Sequence, residues 1–491
     1  MIETWSVVIV VAPVAAAAIC AASRRARVAE YANLAASIVC VIAAVLLVCT
    51  VKDGHRFLRD YVVVDALAAW TLVCTALVYC LASIYAVGYM RLLAEERERL
   101  PNFYALFALF AATMICGPIM NNIGVYWIAI ELTTLVSTFL VGFERGQEAI
   151  EAAWKYIIVV SAGISLALLG TVLFYWAGSL VIGPTYDMTW DTLRRAAPRM
   201  NPALVQMAFL LVLVGYGTKA GLAPMHTWLP DAHSEGPAPV SAMLSGALLN
   251  TAMLGVARFL TITDAASSSL LPRTVLVAFG AFSLFVAALF IVRQEGVKRL
   301  MAYSSVEHMG VLALGLGFGG PLAIAAVLYH MLNHSLNKSL MFFGAGNVMR
   351  VFGTKDMGEI RRVWDRFPVT GALWLAGAVA ITGAPPFGLF LSELTLMRAG
   401  MVSSNVWAVM VMLLLLIVIF IGFLNHFRAM YFEARRAGPS GAPERTATPG
   451  AWMTVPMWLA FVPVLVLGVW WPQALWRFFE MVAADLGGQT R

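Results

Sequence analysis

Charge is what this sequence has least of. Only 12% of its 491 residues are Asp, Glu, Lys or Arg, where a soluble domain carries about 25%. Apolar residues reach 61% and the mean hydropathy is +0.82, so a water-soluble globular protein is excluded. Intrinsic disorder and collagen-like structure are excluded on the same grounds. No run of Lys or Arg forms a phosphate-binding stripe, so the net charge of +6 belongs to loops and nucleic acid is not an expected partner. Cysteine is sparse and unpatterned. Cys20, Cys40, Cys49, Cys74, Cys80 and Cys116 lie in apolar stretches of the first quarter, without a C-x-x-C, and read as small buried hydrophobes rather than iron–sulfur or zinc ligands. A dinucleotide fingerprint is also missing, since the glycine-rich stretch at 315–320 ends an apolar run instead of following a strand. No cofactor, metal or redox centre is therefore expected within this chain.

Long apolar runs are what it has. A bilayer crossing takes ~20 residues, and runs broken by charge or Pro/Gly place fourteen spans at roughly 3–22, 30–51, 62–90, 102–120, 121–143, 153–178, 202–229, 239–261, 272–292, 299–319, 321–349, 368–400, 404–430 and 451–471. Each must be a helix, because lipid cannot satisfy an open backbone. The expected fold is an all-α polytopic membrane protein of about 14 transmembrane helices. The first span is not expected to be a cleaved signal, since its basic residues follow it. Of the 33 Lys and Arg, twenty fall in or beside odd-numbered loops and ten in or beside even-numbered loops and termini. The positive-inside rule then puts odd loops in the cytoplasm and both termini outside, in a bacterial inner membrane.

Two spans are too long and carry their own breakers. Span seven contains Pro224 within a Lys-Ala-Gly-Leu-Ala-Pro run, and span twelve contains Pro385 and Pro386 within Gly-Ala-Pro-Pro-Phe-Gly. Proline removes a backbone donor, so both are expected as broken helices. Broken helices five spans apart have opposite orientations, which is the pattern of an inverted repeat. The expected organisation is helices 1–3 over residues 1–100, a first repeat of helices 4–8 over 101–262, an inverted second repeat of helices 9–13 over 271–432, and a loop, helix 14 and short tail over 433–491.

Ionisable residues in these spans are costly enough to imply function. Glu131 falls at the middle of span five, and Lys219 sits beside the break of span seven. A carboxylate ~4 Å from an ammonium at an effective dielectric near 20 is worth roughly 4 kcal/mol. Approach and withdrawal of such a partner would decide whether the lysine keeps its proton; capping of the half-helix by Lys219 is the plainer alternative. In span eleven His330, His334 and Lys338 recur every fourth residue and share one helix face over ~12 Å. That stripe reads as a proton relay in preference to a zinc site, which would need further ligands. Glu393 lies seven residues beyond Pro386, as an outer proton acceptor or an Arg398-paired structural residue. Glu307 and His308 form a second pair in span ten, while Arg258 and His426 lie near span ends, where they would snorkel or pair.

The run Gly217-Thr218-Lys219-Ala220-Gly221-Leu222-Ala223-Pro224-Met225-His226-Thr227-Trp228-Leu229-Pro230-Asp231-Ala232-His233, with Lys298-Arg299-Leu300-Met301-Ala302-Tyr303-Ser304-Ser305, resembles the antiporter-like membrane subunits of complex I, multisubunit cation/proton antiporters and membrane-bound hydrogenases. The stretches at 303–310, 333–343 and 383–393 make the hydrogenase-4 component F type the nearest resemblance. This resemblance implies a proton-translocating subunit that is itself non-catalytic. Its expected partners are other membrane subunits, the lipid bilayer and a peripheral electron-transfer arm whose Fe–S and Ni–Fe centres, or FMN, lie in other chains. It further implies that Glu131 and Lys219 form the coupled pair of an inner half-channel and that Glu393 serves the outer one. Where the family often has a central Lys or His, this chain has Asn250, so the centre is expected to shift to His334 and Lys338 or to be bridged by water. The alternatives are a complex I-type quinone oxidoreductase subunit, a Na+/H+ antiporter, and a non-pumping scaffold or inorganic-carbon module. The short tail argues against a long lateral helix.

Overall fold

The computed structural model describes residues 1–51, 54–93, 98–433 and 449–486. Nearly every apolar run is a helix. In chain order these are α1 (Ile2–Ala22), α2 (Ala26–Thr50), a hairpin of β1 (His55–Phe57) and β2 (Val62–Val64), α3 (Ala66–Arg91), α4 (Leu100–Ile119), α5 (Ile123–Val141) and α6 (Gln147–Ile182). There follow α7 (Trp190–Ala196), α8 (Pro202–Ala220), α9 (Trp228–Glu235), α10 (Ala238–Met243), α11 (Leu249–Ala266), α12 (Leu271–Val292), α13 (Val297–Phe318) and α14 (Gly320–Phe352). The chain continues through α15 (Val363–Arg366), α16 (Pro368–Ile381), α17 (Gly388–Val402), α18 (Val406–Phe432), α19 (Ala451–Val469) and α20 (Gln473–Asp485).

Each expected span coincides with one helix or one broken pair. Among the described residues, eleven helical segments are long and apolar enough to cross a bilayer by length and composition. α13, α14 and the α16–α17 pair fall short of that measure; these three carry most of the candidate site. Two expectations are corrected, the start of span three and the burial of all six cysteines. Span three begins at Ala66 rather than near 62, because Val62–Val64 pairs with His55–Phe57 as a small hairpin. The short tail includes the amphipathic α20, which buries Phe479, Val482 and Ala483. Cys49 is exposed and Cys80 and Cys116 are half-buried, because they sit on outward faces of their helices; all six cysteines are free. The expected loop at 434–448 and the tail residues 487–491 lie outside the described residues.

The loops sort by parity. At one end, Lys355 bonds Glu148 and Glu235 at 3.0 and 2.7 Å, Arg299 and Lys155 both reach Asp231, and Arg350 reaches Glu144, joining the fifth, seventh, ninth and eleventh loops. At the other end, Arg56 pairs with Asp191, and the Asn121 and Ile123 amides donate to the carbonyls of Tyr61 and Met188, joining the second, fourth and sixth. His55 brings Glu3 to the same end.

Both expected breaks are present. α8 stops at Gly221 (φ +77°) and resumes as α9, with Pro224 in the turn; α16 gives way to a turn holding Gly383 (φ +65°), Pro385 and Pro386 before α17. Only glycine takes a left-handed φ at little cost. α8–α9 runs from the even-loop end to the odd-loop end, and α16–α17 runs the opposite way. Glycines set the spacing around the first break. Gly163 and Gly170 of α6 face Thr218 and Val212 of α8, while Gly215 faces Ala167, so the two backbones approach closely.

Candidate functional site

Asn122 caps α5, accepting from the amides of Gly124 and Val125, and thereby fixes where Glu131 falls along that helix. Glu131 is partly buried and accepts from Ser161 of α6 at 2.7 Å. Lys219, the penultimate residue of α8, is fully buried. Its Nζ donates to Thr134 Oγ1 at 2.8 Å and to Tyr156 OH at 2.9 Å. Thr134 donates in turn to Glu131 at 3.4 Å, so acid and base are joined through a hydroxyl rather than in direct contact. Ser137 lies 2.7 Å from the same Tyr156 hydroxyl and extends the polar patch.

A second group gathers around α14. His330, His334 and Lys338 are all fully buried, on the shared face that their spacing implies. Lys338 Nζ donates to the Met301 carbonyl at 2.9 Å and to Ser304, both on α13. His308, also from α13, inserts between the two histidines of α14, with ring centroids 5.1 Å from His330 and 5.2 Å from His334. Its Nδ1 lies 3.1 Å from His330 Nε2, and His330 Nδ1 lies 2.9 Å from Ser392 Oγ. Glu393, next to Ser392, is buried against the Gly383 turn and within 4.8 Å of the histidine pair. Glu307 is buried, with neither carboxylate oxygen bonded to protein. Glu393 and Arg398 do not pair: Arg398 is exposed, and among the described residues no ion pair joins them.

The remaining residues resolve into structural roles. Arg258 grips Asp65, the N-cap of α3, through two bonds of 2.8 and 3.0 Å, and His426 lies 2.8 Å from the Ile291 carbonyl. Asn250 follows a π-helical turn at Leu244–Leu248. Its amide donates to Gly246 O and to Ser335 Oγ, beside His334, so the family's central position does face the polar face of α14.

Sequence reasoning passed over His233. It sits on α9, fully buried, with neither ring nitrogen bonded to protein, stacked on Phe342 of α14 at 5.2 Å and on Trp228 at 6.4 Å. Trp228 packs in turn on Tyr156 at 4.8 Å, so His233 occupies the space between the Lys219 group and the Lys338 group. The signal was available in the motif at 217–233, whose second histidine falls within the half-helix beyond the break. Thr134, Tyr156, Ser304 and Ser392 left no such trace, because a hydroxyl residue in an apolar helix is ordinary.

The model of the NADH:quinone oxidoreductase/Mrp antiporter transmembrane family matches residues 120–420. The chain is 38% identical to a "Hydrogenase-4 component F homolog" of Methylacidiphilum infernorum over 361 residues, covering 73% of this chain and 74% of that one. It is 29% identical to "NADH-quinone oxidoreductase subunit N" of Desulforudis audaxviator over 415 residues, 83% and 80% of the two chains. A chain of the Mrp complex from Dietzia sp. superposes with a TM-score of 0.86 at 21% identity, covering 99% of this chain and 97% of that one, a likeness of fold. By these matches, the chain belongs to the NADH:quinone oxidoreductase/Mrp antiporter transmembrane family.

Proposed function

We propose that this chain is a proton-translocating membrane subunit of a multisubunit redox complex, moving protons through its own side chains while partner subunits transfer electrons. The observation that carries this reading is the pair of lysines, Lys219 and Lys338, sealed from solvent and hydrogen-bonded to neutral oxygens. An unpaired buried ammonium is too costly to keep for stability alone, and its neutral form is an available proton acceptor. A proton from the cytoplasm reaches Glu131 and Lys219, crosses by His233 to Lys338 and His334, and passes through His308 and His330 to Glu393 and the outside. Glu131 and Lys219 act as a switch: Thr134 touches both, so a small movement of α5 changes the field on the lysine. Titratable groups line this route on both sides of Asn250, which the proton bypasses.

The organisation that goes with this reading is a first repeat at 101–262 and an inverted second repeat at 271–432, supported by the two oppositely directed broken helices, each with a left-handed glycine. Odd-numbered loops face the cytoplasm of a bacterial cell and both termini face outside. The names of the two relatives favour a peripheral arm of hydrogenase type, with a quinone-reducing arm as the alternative, and the Fe–S and Ni–Fe or flavin groups in that arm.

The test is Lys219→Ala and Glu131→Ala in the assembled complex, with proton transfer read in vesicles by a pH-sensitive dye. Both variants are expected to assemble and lose coupled transfer; normal transfer in both refutes the route. A strict requirement for Na+ would turn the reading towards a sodium antiporter, and mass spectrometry of the co-purified complex identifies the arm.

A further inference from the structure

His308, His330 and Glu393 come from three different helices, yet one nitrogen of each imidazole and one oxygen of the carboxylate all lie within 4.8 Å of one another. Zinc bonds of 2.0–2.2 Å place tetrahedral ligand atoms about 3.3 Å apart, and His308 Nδ1 and His330 Nε2 are already 3.1 Å apart. The other ring nitrogen of His330 faces Ser392 at 2.9 Å, the outer-shell bond that orients a metal-binding histidine. Glu393 Oε1 is buried without a protein partner. Beside His308 in the chain, Glu307 also has both carboxylate oxygens buried without a protein partner. Two imidazoles and one carboxylate, with a fourth position open, suit Zn2+ and exclude the oxygen-seeking Mg2+ and Ca2+.

We propose that His308, His330 and Glu393 form a buried Zn2+ site that blocks the chain when occupied. Metal bonds would take up the one acceptor lone pair of each imidazole and hold the carboxylate against a dication, which disfavours its protonation, so none of the three could carry a proton onward. The block, though not the binding, rests on the proton route proposed above.

The test uses the full chain in lipid nanodiscs, with Co2+ as a spectroscopic stand-in for Zn2+. One equivalent of Co2+ is expected to give tetrahedral visible absorption that Zn2+ displaces. That signal is expected to disappear in His330→Gln and Glu393→Gln and to persist in His426→Gln. Circular dichroism identifies a variant that has not folded, in which case the other decides alone. No cobalt signal in the wild-type chain, or the same signal in both folded variants, overturns the site. Zn2+ added to vesicles holding the complex is expected to slow proton transfer at least tenfold. Binding without inhibition would leave the metal site standing and count against the route through these residues.

Discussion

A lysine closed off from water survives only if something shares its proton. For Lys219 the sharers are the hydroxyls of Thr134 and Tyr156, and only Thr134 also reaches Glu131. Thr134→Val keeps the shape and removes that link, leaving a buried donor short of a partner at a cost of about 1–3 kcal/mol. Proton transfer in vesicles is expected to slow roughly tenfold, since about 1.4 kcal/mol corresponds to one decade, and Thr134→Ser is expected to restore it. Asn250 gives the opposite expectation. Its side chain joins Gly246 and Ser335 but cannot carry a proton near neutrality, so Asn250→Ala should lower thermal stability by about 1 kcal/mol and leave transfer running. Arrest of transfer in that variant would show that the centre has not moved to His334 and Lys338. The ionisable residues of the two groups were legible from sequence because charge inside an apolar run is anomalous. Their hydroxyl partners were not, because serine and threonine satisfy themselves on their own helices and stand out only once the helices are packed.

At the scale of elements, the breaks and the glycine-lined contacts decide geometry. Gly383 combines a left-handed φ with a close approach to the Glu393 carboxylate. Gly383→Ala is expected to cost about 1–2 kcal/mol in backbone strain and to displace Glu393, so a thermal unfolding scan should fall and proton release should suffer with it. Gly170 of α6 faces α8, where an added Cβ would lie 2.7 Å from the Ala208 carbonyl. Gly170→Val should therefore push α8 away, at about 1–3 kcal/mol for overpacking, and loosen Lys219 from Tyr156 without touching either residue. Retention of wild-type stability in Gly170→Val would mean that the two helices do not hold this spacing. The prolines marked both breaks in the sequence. The π-helical turn before Asn250 had no marker, and the hairpin ahead of α3 has strands of only three residues, too short for an alternating pattern to show.

Across the whole molecule, ion pairs tie the odd-numbered loops together at one end. Partial burial lowers the proton affinity of Lys355, but its bonds to Glu235 and Glu148 outweigh that and hold its pKa above the usual lysine range. The contribution of a cation held this way is fully present below the ordinary lysine value of about 10.4 and fades as pH rises through the folded value. Thermal stability in detergent is thus expected to be insensitive to Lys355 ionisation at pH 7 to 9 and to decline in strong alkali. Lys355→Met should remove that alkaline decline along with a little stability at neutral pH; an unchanged alkaline limb would place the sensitivity elsewhere.

What the amino-acid sequence determined by itself was the solvent and the periodicity. Apolar runs long enough for lipid had to become helices, two overlong runs that combine proline with glycine broke, and a handful of charges had to be sheltered. Tertiary structure decided which sheltered groups meet. Spacing along α14 could align His330, His334 and Lys338, but only packing against α13 and α17 brought His308, Ser392 and Glu393 to them. It likewise set a hydroxyl between Glu131 and Lys219. Helical repeat is a local property, whereas contact between helices depends on which small residues let their backbones close together, and no single segment contains that information.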